Sequence, residues 1–455
     1  MSGASLAART RAPRRFKRYP AYKESGVEWL GEIPAHWSAK RLKLCALLNP
    51  QVLPENTDPT REIVYVDIGG VDNLGRILEL EHVTFASAPS RARRLVRDGD
   101  VIVSTVRTYL RAIAAIRTPH PAMVVSTGFA VIRPEKELTS GYAAYALRAP
   151  YFVERVVANS RGVSFPAINE SEMATFSLAI PPEPEQRSIA AFLDREAAAI
   201  DELVATNERL IELLTEERTA LITRAVTKGL DPNIPMKDSG VEWLGEIPTH
   251  WEVNRTKFAA RLRSGHTPSR QHPEYWQDCT IPWFGLADVW QIRDGQNEYV
   301  YETAEKISEL GLANSAARLL PKGTVILSRT ASVGFSAVLG VDMATTQDFV
   351  NWICGPTLRA EYLLYVFRSM GHEFRRLTMG STHQTIYMPD VGGFSTPIPP
   401  VPEQDRIVAV IRKETARIDA LVGKVRDAID RLKELRAALI SVAVTGKIDV
   451  REEVA

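Results

Sequence analysis

Side chains that can read DNA bases or bind phosphates are concentrated in a few loop-like segments of this chain. Arginine can donate two hydrogen bonds to guanine and glutamine can pair with adenine, so these residue types suit base reading. In the first half the candidates are Arg91, Arg93, Arg94, Arg97, Arg107, Tyr109, Arg111, Arg161 and Ser164. In the second half they are His266, Arg270, His272, Arg329, Ser332, Ser381, His383 and Gln384. The alternative for each is an ordinary solvated loop residue.

Motifs for catalysis are missing from the sequence. Thr445-Gly-Lys-Ile lacks the leading glycine and the hydroxyl of a phosphate-binding loop. There is no Asn-Pro-Pro-aromatic or Asp-Pro-Pro-aromatic tetrapeptide, which an amino-methyltransferase needs to hold its target base. No His-Glu-x-x-His or clustered Cys/His set offers zinc ligands. We therefore expect no catalytic residues, metal or cofactor in this chain. An enzyme assembled from residues far apart in sequence stays an alternative.

Length and composition indicate a multidomain globular protein. The 455 residues are enough for about two to four domains. A formal net charge of +1 means that any DNA footprint is local or shared with a partner subunit. Three isolated cysteines indicate a reducing cytoplasm, and no apolar run is long enough to span a membrane. Residues 1–21 are predicted to be a flexible basic tail, with a phosphate-contacting arm as the alternative.

The segments that must position these loops occur twice in the sequence. Ser25–Trp37 returns as Ser239–Trp251 with one change in thirteen positions, and Ile180-Pro-Pro-Glu-Pro-Glu-Gln returns from Ile398. The segments between these blocks, 38–179 and 252–397, align in pieces, including Gly99–Ser104 with Gly323–Ser328. The chain is therefore a tandem duplication. Because two domains that read different sequences should differ where they read, we interpret Trp29, Trp37, Trp243 and Trp251 as packing anchors.

A long helical pattern follows each proline-rich junction, over Arg187–Thr227 and Asp405–Thr445. Its apolar residues recur in heptads, which predicts two coiled-coil helices that pair with each other. The predicted seam, and with it the helix or subunit interface, consists of Ile189, Leu193, Ile200, Leu203, Leu210, Leu214, Leu221, Ile407, Ile411, Ile418, Leu421, Leu432 and Leu439. Asn207 is a polar seam position, either register-setting or solvated. Elsewhere, Ile63–Ile68 predicts a strand and residues 140–158 a helix.

This layout resembles the specificity subunit of type I restriction–modification systems. The resemblance rests on the paired Glu-Ile-Pro-x-His-Trp blocks, the paired junctions with their helices, and the loop from Gly380 to Gln384. It implies two target-recognition domains, each reading one half of a bipartite, asymmetric DNA sequence. It also implies two methyltransferase subunits carrying S-adenosylmethionine, and motor-nuclease subunits that use ATP and Mg²⁺. Pro166 occupies the position of Gln384 in the other repeat, so a glutamine contact does not carry over to the first domain.

The expected fold is therefore mixed α/β (α+β), with two recognition domains in a pseudo-twofold arrangement, separated by two long antiparallel coiled-coil helices. The predicted boundaries are 22–180 and 236–398 for the recognition domains, and 181–235 and 399–455 for the helices. The expected function is non-catalytic DNA recognition in the cytoplasm. A DNA methyltransferase or nuclease in its own right, and a purely structural scaffold, are the alternatives.

Overall fold

The structure, a computed structural model, describes residues 16–135, 137–378 and 384–453. They form two compact units. The first unit contains the described residues up to Thr206 and those from Ala428 onward, and the second is Asn207–Asp427. Each compact unit therefore includes one predicted recognition domain and part of both long helices. No helix among the described residues combines the length and apolar character needed to cross a membrane.

The first unit is built around two small sheets and a pair of short helices. Its strands are β1 (Tyr22–Glu24), β2 (Glu32–Pro34), β3 (Ser38–Arg41), β4 (Ala46–Leu48), β5 (Glu62–Val66), β6 (Glu81–Thr84), β7 (Ala92–Leu95), β8 (Val101–Ser104), β9 (Ile113–Ala115), β10 (Met123–Ser126), β11 (Phe129–Pro134) and β12 (Ser177–Ile180). The sheets have the orders β6-β5-β10-β7 and β4-β11-β8-β9, and β5 and β10 are parallel. The fold is thus a mixed one, as the sequence predicted.

The helices of the first unit are α1 (Ser140–Ala146), α2 (Pro150–Ala158), α3 (Glu170–Met173) and α4 (Glu183–Lys228), of which α4 continues into the second unit. The single helix predicted over 140–158 is wrong, because the chain breaks before Pro150. Ala149 is extended, with φ −64° and ψ 141°. Proline disfavours a helical conformation in the residue before it and is itself tolerated in the first turn of a new helix.

The second unit repeats this plan. Its strands are β13 (Met236–Asp238), β14 (Glu246–Pro248), β15 (Glu252–Arg255), β16 (Ala260–Ser264), β17 (Ile281–Phe284), β18 (Tyr299–Val300), β19 (Glu305–Ile307), β20 (Val325–Ser328), β21 (Ser336–Leu339), β22 (Ala344–Thr345), β23 (Phe349–Cys354) and β24 (Ser395–Ile398). Its helices are α5 (Thr256–Ala259), α6 (Glu309–Ala313), α7 (Ala360–Ser369), α8 (Gly371–Thr378), α9 (Met388–Gly393) and α10 (Val401–Val444). The end of α10 belongs to the first unit.

The core of each unit is completed by the end of a long helix from the other repeat. In the first unit, Ile440, Ala443 and Val444 of α10 are buried with the start of α4. In the second, Ile222, Ala225 and Val226 of α4 are buried with the start of α10. A buried tyrosine marks the same contact twice. The Tyr142 hydroxyl lies 2.9 Å from the Val444 carbonyl oxygen, and the Tyr362 hydroxyl donates to the Val226 carbonyl at 3.1 Å.

Within each repeat, the block that ends in a tryptophan (Ser25–Trp37 or Ser239–Trp251, the Trp block) contacts the proline-rich junction. His36 Nε2 lies 2.8 Å from a carboxylate oxygen of Glu185, and His250 Nε2 lies 2.8 Å from one of Glu403. These histidines belong to the Trp block and the glutamates to the proline-rich junction. Gln186 and Gln404, the last residues of the junctions, donate at 2.9 and 2.8 Å to the carbonyls of Pro181 and Pro399. The repeated residues therefore fasten each domain to its helix.

The tryptophans of the repeated block are anchors, but to different degrees. Trp37 and Trp251 are almost completely buried, whereas Trp29 and Trp243 are half-buried. The Trp29 ring packs under the guanidinium of Arg155, whose carbon lies 3.4 Å from the ring centre. The interpretation as packing anchors thus agrees best with the second tryptophan of each block.

The predicted basic tail includes residues 16–21, which the structure describes. Residues 16–21 belong to the first unit, because Lys17 forms a bridge with Asp449 and Tyr19 is only 3% exposed. The Tyr19 hydroxyl also donates to Glu185. The positive charge of this segment favours a tail, but the aromatic ring of Tyr19 is part of the core.

The two long helices run antiparallel. In the first unit Arg436 Nε lies 3.1 Å from Asp201, while the earlier Glu185 interacts electrostatically with the later Arg451. Earlier residues of the first helix therefore pair with later residues of the second, as in an antiparallel pair. In the second unit Arg218 pairs with Asp419 at 3.2 Å, the repeat-equivalent ion pair.

The apolar stripe of the helices differs in phase from the predicted heptads. Leu203, Leu210 and Leu421 are 52%, 41% and 41% exposed, so they are not on the buried stripe. Val204 and Val422 are buried in place of Leu203 and Leu421. The reason is that an ordinary α-helix turns every 3.6 residues and drifts away from a 3.5-residue repeat. Of the remaining seam residues, the buried ones are Ile189, Leu193, Ile200, Ile407, Ile411 and Ile418, and the half-buried ones are Leu214, Leu221, Leu432 and Leu439.

We expect Gly446→Ala to lower the free energy of unfolding by about 2–4 kcal/mol. Gly446 has φ +69°, and a Cβ atom there would lie 2.3 Å from Pro34 Cδ, so backbone strain and overpacking add. Thermal and chemical unfolding measure the change. The matched control is Gly423→Ala within α10, where a Cβ meets nothing within 4 Å. It should stabilise the chain by about 0.5–1 kcal/mol. Equal effects at both glycines would contradict the role of Gly446.

Candidate nucleic-acid interface

A strained turn presents three of the predicted base-reading residues of the first unit. Arg107 and Arg111 flank a 3-10 helix, Thr108–Leu110, and have φ +53° and +54°. This left-handed conformation is uncommon for residues other than glycine, and it concentrates at functional sites. Thr108 is buried, and its hydroxyl lies 2.7 Å from that of Ser160. Arg107, Tyr109 and Arg111 are exposed, so the turn is held from below while its neighbours face solvent.

A second loop, Arg161–Pro166, packs beside this turn. The Arg107 amide donates to the Pro166 carbonyl at 2.8 Å, and the backbones of Arg161 and Ala167 exchange hydrogen bonds of 2.8 and 2.9 Å. The guanidinium of Arg107 lies 4.9 Å from the centre of the Phe165 ring. The structure thus brings Arg107, Tyr109, Arg161 and Ser164 together. We call Arg107, Tyr109 and residues 161–165 the first recognition surface.

Two apolar residues of this surface were missed by the sequence reasoning. Val163 is fully exposed and Phe165 is 58% exposed. Exposed apolar side chains at a DNA-reading surface can contact the thymine methyl group or wedge between base steps. The available sequence signal was a pair of apolar residues confined between Gly162 and Pro166, in a segment too short to be a strand.

The arginine cluster of the first half is not a continuous exposed track. Arg94 forms an ion pair with Glu170, and its side chain is only 13% exposed. Arg93 lies over the Phe85 ring at 4.5 Å and donates to the Ala92 carbonyl. The exposed side chain of Arg97 lies 3.9 Å from the buried Asp100. Arg91 is exposed, so it is the strongest candidate of this cluster for a phosphate contact.

The second unit shares the first part of this turn and its backbone contacts. Ala331, the repeat equivalent of Arg107, has φ +59°, and its amide donates to the Gln384 carbonyl at 2.9 Å. Ile386 donates to the Arg329 carbonyl at 2.8 Å, as Ile168 does to Thr105 at 2.9 Å. Gln384 is exposed. It therefore lies beside the turn that carries Arg329, while Ser381 and His383 lie outside the described residues.

Arg329 and Arg270 of the second unit also serve the fold. Arg329 Nε donates to the Gln347 carbonyl at 3.1 Å. Arg270 pairs with Glu305 at 2.7 Å and lies 3.9 Å above the centre of the Trp276 ring. Such stacked, paired guanidinium groups hold loops in place. Arg270 thus has two structural partners in its own loop.

The histidines of the same loop differ in their surroundings. His272 stacks on Tyr275, with ring centres 4.8 Å apart, and lies 2.9 Å from a Glu274 oxygen. His266 is exposed, and its carbonyl accepts a hydrogen bond of 3.1 Å from the Trp283 indole. The backbone of His266 is therefore fixed while its imidazole faces solvent. In the described part of the chain, no group of three or more His, Cys, Asp or Glu residues is arranged to hold a metal ion.

A buried ion pair near the start of β8 has no counterpart in the second unit. Arg133 on β11 donates two hydrogen bonds of 2.8 Å to the Asp100 carboxylate, beside the start of β8. Thr324 and Ile353 occupy the equivalent positions in the other repeat. Losing one partner alone would leave a buried charge unpaired. Both members of the ion pair are therefore replaced together in the second repeat, and neither charge is left unpaired.

Fold and site together define a duplicated protein that carries loops of unlike chemistry at equivalent positions of one scaffold. The family described as the type I restriction modification DNA specificity domain matches residues 95–214 and 248–430, more than half of the chain. The chain belongs to this family.

Two individual relatives align with most of this chain, and a third aligns with about a third of it. The putative type I restriction enzyme MjaX specificity subunit of Methanocaldococcus jannaschii is 22% identical, over 94% of this chain and 98% of that protein. The HindI specificity subunit of Haemophilus influenzae is 20% identical, over 85% and 94%. The MjaIX specificity subunit, also of M. jannaschii, is 30% identical, but over only 37% of this chain and 38% of its own length.

Two solved structures share the fold. A chain from a study titled "Structural basis underlying complex assembly and conformational transition of the type I R-M system" has a TM-score of 0.67 and 25% identity, over 90% of this chain and 98% of that one. The HsdS subunit of Thermoanaerobacter tengcongensis has a TM-score of 0.50 and 23% identity, over 91% and 98%. The mixed α/β architecture with two domains and a pair of long helices is therefore that of the family.

We expect Arg107→Ala to relax recognition at one base pair, at a cost of about 1–3 kcal/mol, without unfolding the chain. Alanine is compatible with the backbone there because Ala331 has the same left-handed conformation in the second unit. Binding of single-base-pair variants of the target, alongside thermal unfolding, measures both effects. Arg270→Ala is the contrast: because Arg270 holds its own loop, that variant should lose thermal stability first. A specificity change at Arg270 with unchanged stability would contradict this assignment.

Proposed function

We propose that this chain is the DNA-specificity subunit of a type I restriction–modification complex. The first recognition surface reads one half of a bipartite, asymmetric DNA site, and the turn and loop around Arg329 and Gln384 read the other half. The observation that carries the proposal is the left-handed backbone at equivalent positions of the two turns, which present different side chains. Arg107 and Ala331 share a left-handed backbone and the same hydrogen bond, yet one presents a guanidinium group and the other a methyl group.

In this proposal the chain itself is non-catalytic. Methyltransferase subunits carry S-adenosylmethionine and modify adenine, and motor-nuclease subunits use ATP and Mg²⁺. The near-neutral charge of the chain supports this division of labour, because sequence-independent binding to DNA comes mainly from neutralised phosphates. Partner subunits then supply much of the positive field. The complex acts in the cytoplasm.

The exposed leucines of the long helices are proposed to bind the methyltransferase subunits. Leu203, Leu210 and Leu421 are displaced from the buried stripe and 41–52% exposed, and Leu213 and Leu435 are 47% and 48% exposed. Large exposed apolar side chains along one helix pair are typical of protein interfaces. The residues predicted for the seam thus divide between pairing of the helices and docking of subunits.

Exchanging residues 38–179 for the matching segment of a relative should change one half of the methylated sequence and leave the other half intact. The reciprocal exchange of residues 252–397 should change only the other half. Genome-wide maps of methylated adenine give both halves and the spacer between them. An unchanged map would support the scaffold alternative, and methylation or cleavage by the purified chain alone would support an enzyme.

Inserting four residues into both long helices should widen the gap between half-sites by about two base pairs. Four helical residues add about 6 Å, and base pairs rise about 3.4 Å each. The insertions belong halfway between Asp201 and Arg218, and halfway between Asp419 and Arg436, so that both ion pairs keep their register. Inserting into one helix alone is the control and should abolish methylation. A spacer that stays unchanged after the double insertion would contradict the ruler role.

A further inference from the structure

A small basic cavity lies in the first unit beside the first recognition surface. It has a volume of about 120 Å³ and is lined by four cationic side chains, Arg111, Arg148, Lys433 and Arg436. Its remaining lining residues are Asn73, Leu74, Ile113, Pro150, Val153, Ala437 and Ile440, and none of the lining residues is acidic. Arg111 ends the turn that carries Arg107 and Tyr109. The cavity therefore lies where the recognition loop meets α10.

The positive charge of this cavity is only partly neutralised. Arg436 has an 11% exposed side chain and lies 3.1 Å from Asp201, but its buried Nε–H makes no hydrogen bond. Arg148 donates to the Leu74 carbonyl. Burial, and then the charge of Arg436, lower the pKa of Arg148 to about 10. The Asp201 carboxylate is thus near both the Arg436 and the Arg148 guanidinium groups. The nearby Asp72 is already paired with Arg76 at 2.7 Å.

Comparison with the second repeat separates the structural cations from the additional ones. Arg368 and Arg218 are the equivalents of Arg148 and Arg436, and both donate to the Gly295 carbonyl, at 2.8 and 2.7 Å. In the first unit the corresponding loop contact is the hydrogen bond from Arg148 to the Leu74 carbonyl. At the positions of Arg111 and Lys433, however, the second repeat has Phe335 and Thr215. The fold therefore needs neither of these two cations.

We propose that the cavity binds one phosphate of the DNA backbone, next to the first half-site and on the side of the long helices. The inference rests on the proposed function. A water molecule occupies about 30 Å³, so the cavity has room for a phosphate group. Guanidinium groups match phosphate oxygens with paired hydrogen bonds, and a lysine adds a point charge. Arg111 and Lys433 are exposed at the opening, whereas Arg148 and Arg436 form the floor.

Single methylphosphonate substitutions test the proposal, because each removes the charge of one phosphate. The full-length chain is assembled with its methyltransferase partners and bound to duplexes carrying the mapped target. One position beside the first half-site should weaken binding by the wild type. Lys433→Thr, which introduces the residue of the second repeat, should weaken binding to unmodified DNA and reduce the penalty at that position. The slope of log K against log salt should fall by about 0.9, the value for one phosphate.

Two controls use the same helix and the same complex. Arg431→Ala removes an exposed positive charge outside the cavity lining, so it should leave the position-specific penalty as in the wild type. Lys433→Arg retains the charge and should retain the penalty. The inference is overturned if the effects of Lys433→Thr and of the methylphosphonate on the DNA-binding free energy add. It is also overturned if inorganic phosphate stabilises the wild type more than Lys433→Thr while the two effects on DNA binding still add. Failure of the proposed function would look different, as an absence of sequence-specific binding by the wild type.

Discussion

The rest of this structure depends on the burial of the ends of the two long helices. Ile440, Ala443 and Val444 complete the core of the first unit, and the equivalent residues of α4 complete the core of the second. Neither unit closes its core with its own repeat alone. Burial of such aliphatic side chains contributes about 1.5–3 kcal/mol each. Each repeat thus supplies the helix end that completes the core of the other.

This constraint explains why the repeated motifs are nearly identical while the segments between them differ. The Trp block and the proline-rich junction contact each other through His36 and Glu185, and again through His250 and Glu403. A change in one motif would have to be matched in the other and in the helix end packed against them. Loops such as Arg161–Pro166 contact the neighbouring turn and, through Arg161 and Glu172, the short helix α3. They can change their side chains while the backbone hydrogen bonds stay the same.

The base-reading surfaces were only partly predictable. Arg107, Tyr109, Arg161 and Ser164 come together as residues of adjacent loops, but Arg94 and Arg270 have partners inside the fold. Charge and loop position look alike for both groups in the sequence. What distinguishes Arg94 and Arg270 is a hydrogen bond to a glutamate from another segment, Glu170 and Glu305 respectively. Val163 and Phe165 were missed because an apolar residue in a loop is usually buried rather than exposed.

The sequence by itself determined the duplication, the two long helices, the mixed α/β character and the absence of local catalytic motifs. These signals are local, periodic or repeated, so they do not depend on knowing which segments meet. Only the tertiary structure decided the phase of the helix stripe, the closure of each core, and which arginines face solvent. Leu203 and Val204 are adjacent and both apolar, and packing alone selects the valine for burial. The basic cavity likewise exists only because α10 returns to the first unit, bringing Lys433 and Arg436 beside Arg111 and Arg148.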